Sequence, residues 1–191
     1  MPSVVDLCNK SLDKVGQGPI TSLEDNTKSA RLCARNWPVA RDAVLRAHPW
    51  NFAIKRRVLA PEALSTAEAA DQWGFTYRFP MPADMLRLVE VRDLSAAEYQ
   101  VEGRSILANT SALYVRYVWR EEDPNKYDST FFDVAATRLA FEICEPITQS
   151  NTKKDALWQE YKDQMSEAKS FDGQENPPAQ FEEDDWIAVR Y

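Results

Sequence analysis

The run from Ala34 to Arg56, ARNWPVARDAVLRAHPWNFAIKR, does most to limit what this chain can fold into. It starts as a helix with one apolar face, because Cys33, Trp37, Ala40, Val44 and Leu45 recur at three-to-four spacing. It then stops at His48-Pro49, since Pro49 has no N–H to donate and disfavours helical geometry at His48. Two large aromatics follow at once, Trp50 and Phe52. A long helix pinned at its end by Trp37, Pro49, Trp50 and Phe52 is an architectural joint, and those four residues are assigned a structural role.

The helical period recurs on both sides of a middle region with a different period. Val4, Cys8, Leu12 and Val15 share a face, with Ser3 as N-cap and Gly16 and Gly18-Pro19 as the stop. Asn26 or Thr27 caps the second helix, which runs to about His48, and Pro38 should kink or break it. Residues 58–72 read as a loop with a helical turn. Phe75, Tyr77 and Phe79 alternate as a half-buried strand does, Pro80 and Pro82 interrupt, and Leu86 to Val91 resumes extended character. Tyr99 to Leu107 reads as a hairpin turning at Glu102-Gly103-Arg104. Leu113 to Trp119 is the strongest strand, rich in β-branched and aromatic residues.

A third helix begins at Asp128-Ser129 and shows Phe131, Phe132, Ala135, Leu139 and Ile143 on a wide apolar face; Pro146 should end or bend it. Thr152-x-x-Asp155 resembles a capping box for a last helix, whose stripe is Leu157, Tyr161, Met165 and Ala168 and whose end falls near Gly173. The expected fold is α+β: an antiparallel helical bundle with an inserted small antiparallel β-sheet and an extended C-terminal tail. Its parts are residues 1–57 and 128–173 for the bundle, 58–127 for the insert and 174–191 for the tail.

The tail, GQENPPAQFEEDDWIAVRY from Gly173 onward, has no helical period. Four consecutive acids, Glu182 to Asp185, are flanked by aromatics. Disordered termini are commonly aromatic-poor, whereas aromatics are enriched at binding hot spots. Phe181, Trp186, Ile187 and Tyr191 are therefore candidate anchors for another chain, against the plainer reading of a disordered terminus.

The chemistry-bearing residues offer little. A formal charge of −7 argues against non-specific DNA binding by the free subunit. Lys55-Arg56-Arg57 is a local basic patch, read as a solvated face. The alternation Tyr114, Arg116, Tyr117, Trp119, Arg120 could stack single-stranded nucleic acid, against the plainer reading of a strand with one face in the core. No apolar run approaches the roughly 20 residues of a membrane helix, and no secretory signal is visible at the N-terminus. Five glycines leave no phosphate-cradling loop, and there is no GxSxG elbow. One histidine excludes a multi-histidine metal site, and no cofactor is expected. Cys8, Cys33 and Cys144 each fall in a helical pattern and read as reduced, buried thiols. His48, the one candidate for a Ser-His-Asp arrangement, is placed to meet the helix C-terminal dipole or pack on Trp50. The acidic runs Glu121-Glu122-Asp123 and Glu182 to Asp185 look solvated, without the apolar pocket that raises a catalytic carboxyl.

Several stretches together resemble the tail tubular protein A family, the head-to-tail adaptors of short-tailed bacteriophages. They are Leu7-Cys8-Asn9 through Val15-Gly16, Ile20-Thr21-Ser22-Leu23 with Ala30 and Cys33, and Arg41-Asp42-x-x-Leu45-Arg46-x-His48-Pro49-Trp50-Asn51-Phe52-Ala53. The others are Phe79-Pro80-x-Pro82-x-Asp84-x-Leu86-Arg87, Tyr99-x-Val101-Glu102-Gly103, Tyr117-Val118, and Phe132 through Ile143-Cys144-x-Pro146-Ile147-Thr148. The resemblance covers nearly the full length. It implies a non-enzymatic virion protein of the tail, made in the host cytoplasm. Its partners would be itself in a ring of twelve subunits, the portal protein, the tail nozzle protein and DNA passing through the channel without sequence-specific contacts, with no membrane. Another head–tail connector, such as a head-completion protein, and a tail-associated glycan hydrolase are the alternatives.

Overall fold

The computed structural model describes residues 2–62, 68 and 74–175. The fold is α+β; the elements resolved among the described residues include four long helices and two three-stranded antiparallel sheets. The helices are α1 (Val4–Val15), α2 (Lys28–Ala47), α3 (Ser129–Thr148) and α4 (Asn151–Glu175). The strands are β1 (Ile54–Leu59), β2 (Tyr77–Pro80), β3 (Met85–Val91), β4 (Tyr99–Glu102), β5 (Ser105–Ala108) and β6 (Leu113–Trp119).

Local chemistry sets the helix ends. Ser3 and Asp6 form a reciprocal capping box on α1: the Asp6 N–H donates to Ser3 Oγ at 3.1 Å and the Ser3 N–H to Asp6 Oδ2 at 2.9 Å. Gly16 closes the helix at φ 76°, a left-handed conformation open to glycine at no steric cost. Asn9 then clamps the following turn, accepting from the Ile20 N–H at 2.8 Å and donating to the Ile20 carbonyl at 3.1 Å. Thr27 rather than Asn26 caps α2, through the Ala30 N–H at 3.1 Å. Pro38 does not split this helix, which is continuous from Lys28 to Ala47. Asp128 caps α3, and Gln149 ends it at φ 52°, three residues past Pro146, which lies inside the helix rather than at its end.

The expected capping box at Thr152 is not formed. Ser150 does that work, its Oγ accepting from the Lys153 N–H at 3.3 Å, so α4 begins one residue before Thr152 and runs past Gly173. Its buried stripe is Leu157, Tyr161, Met165, Ala168 and then Asp172.

α3 packs against α1, α2 and α4. One core joins the four helices to Trp50, Ala53 and Val118, with Phe131, Leu139 and Ile143 fully buried within it. A second core lies between the sheets and holds Phe79, Ile106, Leu113, Val115 and Tyr117. Trp119 touches both cores.

One expectation for the middle of the chain needs correction. The single small sheet is two sheets, ordered β1-β6-β3 and β2-β5-β4: β6 pairs on both sides with strands distant in sequence, and β5 pairs with its hairpin partner β4 and with β2. Lys55-Arg56-Arg57 lies on β1, which pairs antiparallel with β6 from Ile54↔Val118 to Leu59↔Leu113, and Arg56 and Arg57 are exposed on it. β1 thus runs across the 57/58 boundary. The hairpin of β4 and β5 forms as the sequence suggests. Gly103 takes φ 57° at the first position of a two-residue turn, and Glu102 pairs with Ser105. The 58–72 loop lies mostly outside the described residues, as does the tail from residue 176 on.

Candidate interaction surface

The joint residues assemble around α3. Trp50 is fully buried and Trp37 nearly so. The Trp50 ring meets Phe131 edge-on at 5.1 Å, and its indole N–H donates to the Val44 carbonyl at 3.0 Å. That bond satisfies the polar end of a side chain whose ring is in the core. Phe52 lies against Phe131 at 4.9 Å and Tyr127 at 5.7 Å, and Trp37 reaches Tyr127 at 6.5 Å. Pro49 is half-buried between them.

The joint is latched from the far end of the chain. Asp172 on α4 is buried, and its Oδ1 accepts the Asn51 N–H at 2.9 Å while its Oδ2 lies 2.9 Å from His48 Nε2. Asn51 Nδ2 donates back to the Asp172 carbonyl at 2.8 Å. His48 also packs edge-on against Trp50 at 4.9 Å. Both polar contacts and packing thus tie the His48 ring to the joint and to α4.

The other chemical candidates are likewise committed to packing. Cys8 and Cys33 are fully buried side by side, and hydrogen bonding from Cys33 together with burial pushes the Cys8 thiol far above its usual range. Among the described residues, no group of three or more His, Cys, Asp or Glu could hold a metal ion. Glu121 is buried rather than solvated: its Oε1 accepts the Asp123 N–H at 3.1 Å, and Lys126 Nζ lies 3.0 Å from its Oε2. Arg41 is buried between Asp42 at 2.9 Å and Glu122 at 3.1 Å, and Asp42 also holds Arg120 at 2.8 Å. Burial pushes the Tyr127 hydroxyl up, against the nearby Arg41 charge.

One surface is not used in this way. Antiparallel pairing puts Ile54 and Val118, Arg56 and Arg116, and Val58 and Tyr114 on one face of the first sheet. The Ile54–Val118 end is covered, since both residues contact the helical core. The other end is open, with Val58 54% and Tyr114 47% exposed. Arg92 joins it through its N–H to the Tyr114 carbonyl at 2.9 Å, and Glu90 pairs with Arg116 at 3.0 Å. These side chains border a shallow hollow of about 270 Å³ lined by Arg56, Arg57, Arg92 and Arg116 with the single carboxylate Glu90. Here the structure unites two segments that the sequence presents separately, the 55–57 patch and the Tyr114–Arg116 alternation. The rest of that alternation points elsewhere. Tyr117 is buried between the sheets, where burial and then Asp84 push its hydroxyl up against the opposing influence of Arg57. Trp119 carries Lys55 Nζ 3.2 Å from its ring centroid.

Phe181, Trp186, Ile187 and Tyr191 lie outside the described residues. Sequence reasoning did not find Asp172 or the pairing of Arg56 with Arg116. A signal for the first was present, because Asp172 extends the α4 stripe by one further turn. No family model matches the chain, and no curated protein matches it at a significant level. No described helix is long and apolar enough to cross a membrane.

Proposed function

We propose that this chain is a structural adaptor of a phage tail, a ring subunit that joins the portal to the tail nozzle and encloses the DNA channel. The observation that carries the reading is the open, arginine-lined half-face of β1 and β6 on a fold whose candidate catalytic groups are engaged in packing. Head-to-tail contacts that close on themselves make rings, and they need two different complementary surfaces on one chain. The basic half-face is one such surface, and the acidic, aromatic tail is its opposite in charge. Among the described residues no strand pairs with the outer edge of β1, and a free strand edge is a template for another chain.

In this reading the four helices form an antiparallel bundle, the sheets project from it towards the nozzle, and the extended tail reaches the portal or a neighbouring subunit. The subunit is not an enzyme. It acts in the virion, at the head–tail junction, after synthesis in the host cytoplasm. DNA passes without sequence-specific contacts, and an acidic lumen keeps it from adhering. Electron microscopy of the purified protein, alone and mixed with a portal ring, tests this. Coaxial twelve-subunit rings on the portal are expected; monomers that never associate with a portal would overturn the reading.

A further inference from the structure

The end of α4 lies at the covered end of the strand that carries the open half-face. Glu175, the last residue of α4, accepts from Asn51 Nδ2 at 3.2 Å, and Asn51 lies three residues before β1 begins. The chain beyond Glu175 therefore starts beside the strand that carries Arg56 and Val58. From Glu175 to Glu182 the backbone can span on the order of 23 Å at ~3.3 Å per residue. Arg56 and Val58 lie about 7–14 Å along β1 from Ile54, and the three residues from Asn51 to Ile54 add at most about 10 Å. The chain's own acidic run is thus within reach.

The chemistry of the two parts is complementary. Arg56 has no ion-pair partner among the described residues, and Arg92 has only the neighbouring, exposed Asp93 at 3.3 Å. Glu90 offsets Arg116 alone. Beyond Glu175, four consecutive acids, Glu182 to Asp185, are bracketed by Phe181 and by Trp186-Ile187. Exposed Val58 and Tyr114 supply an apolar floor for a ring beside the cations.

We propose that this half-face is a docking site for the chain's own C-terminal segment, Phe181–Tyr191, seated in cis. Glu182 to Asp185 lie against Arg56, Arg92 and Arg116, and Trp186 covers Val58 and Tyr114. A short tether gives the segment a local concentration that no separate molecule matches at micromolar protein. The docked segment covers the basic surface and removes it from competition for phosphate polymers. The contact is electrostatic at its rim and weakens with salt. The docking is that of the free subunit, and it stands whether or not the segment is released to a neighbouring subunit or a portal on assembly.

The test is cross-linking in the full chain. Val58→Cys and Ala188→Cys are introduced together; Cys8, Cys33 and Cys144 are buried. A short bis-maleimide is added at low protein concentration, and the products are resolved by gel and peptide mass spectrometry. Docking in cis predicts an intrachain 58–188 link whose yield falls about tenfold on adding Arg56→Glu and Arg116→Glu, or on moving to high salt. Replacing Glu182, Glu183, Asp184 and Asp185 with lysine alters no described residue. It should abolish the link in the parent and restore it in the Arg56→Glu, Arg116→Glu background. A link only between chains, or one indifferent to charge, overturns the proposal. So does binding of a single-stranded oligonucleotide to the parent chain that is lost with Arg56→Glu, because the face would then be open to nucleic acid.

Discussion

The two ends of the β1–β6 strand pair share one backbone pairing and differ in what covers them. At one end of the shared β1–β6 face, Ile54 and Val118 are sealed against the helices; at the other, Val58 and Tyr114 are in the open beside Arg56 and Arg116. The backbone pairing is the same throughout. The difference is the reach of the helical layer, which ends where the aromatic joint and the Asp172 latch hold it. What the helices cover becomes core, and what they leave uncovered becomes a basic surface with apolar residues between its charges.

Removing the largest ring from the covered side should have the largest effect. Trp50→Ala deletes a fully buried indole and the contacts it makes with Phe131 and Phe52. A loss of about 3–5 kcal/mol is expected from the transfer and cavity terms, read by chemical denaturation. A loss below about 1 kcal/mol would mean that the joint does not hold the covered end, since ordinary surface changes fall near that size.

The latch comes next. Asp172→Ala leaves the Asn51 N–H without its carboxylate acceptor and removes the partner of His48. About 1–3 kcal/mol should be lost, as for other buried groups deprived of a partner. Amide exchange sharpens the comparison: protection should fall at Asn51 and the start of β1 and be retained in β5. Equal loss in both sheets would mean that Asp172 supports the whole fold and has no special hold on the joint.

How much of this was legible in the sequence depended on how local each feature is. The buried stripes of α1, α2 and α3 are set within single helices, so spacing reveals them, and the capping of α1 needs only Ser3 and Asp6. The aromatic joint was legible for the same reason, since Pro49, Trp50 and Phe52 are adjacent. β1 was not. Arginine sits on both of its faces, at 56 and 57, so the alternation of apolar and polar that marks a half-buried strand is missing. Its partner β6 starts more than fifty residues later, and nothing local states that pairing. Division into two sheets was hidden too, because alternation identifies strands but not their neighbours. Asp172 looked like one more surface acid, and only the distant Asn51 and His48 give its burial a reason.

A pH titration tests the covered side by another route. Tyr127 is buried beside the joint, and burial raises its hydroxyl above the ordinary value of 10. The folded state therefore holds this proton more tightly than the unfolded chain. Its contribution is complete below pH 10 and declines as pH rises towards the folded-state value. Tyr127→Phe should cost about 1 kcal/mol at neutral pH, for the bond its hydroxyl donates to the Glu121 carbonyl at 2.9 Å. The variant should also lose less stability between neutral and alkaline pH than the parent. Parallel pH profiles would show that Tyr127 does not set the alkaline limit.

The smallest effect belongs to the open end, and it decides whether the two ends truly differ. Tyr114 sits one pair beyond Arg116 on the same face as Val118, yet it is 47% exposed. If that end is surface in the free subunit, Tyr114→Ala should change stability by no more than about 0.5 kcal/mol. Val118→Ala, on the same strand and face, removes a fully buried side chain and should cost several times as much. Denaturation of both variants at low and high salt makes the contrast stringent. With the C-terminal segment docked on Tyr114, the cost of Tyr114→Ala is larger at low salt and shrinks as salt weakens the rim contacts. A bare face gives the same small cost at every salt concentration. The measurement therefore separates an empty surface from a covered one by whether the cost depends on salt at all, even where the free-energy change itself is small.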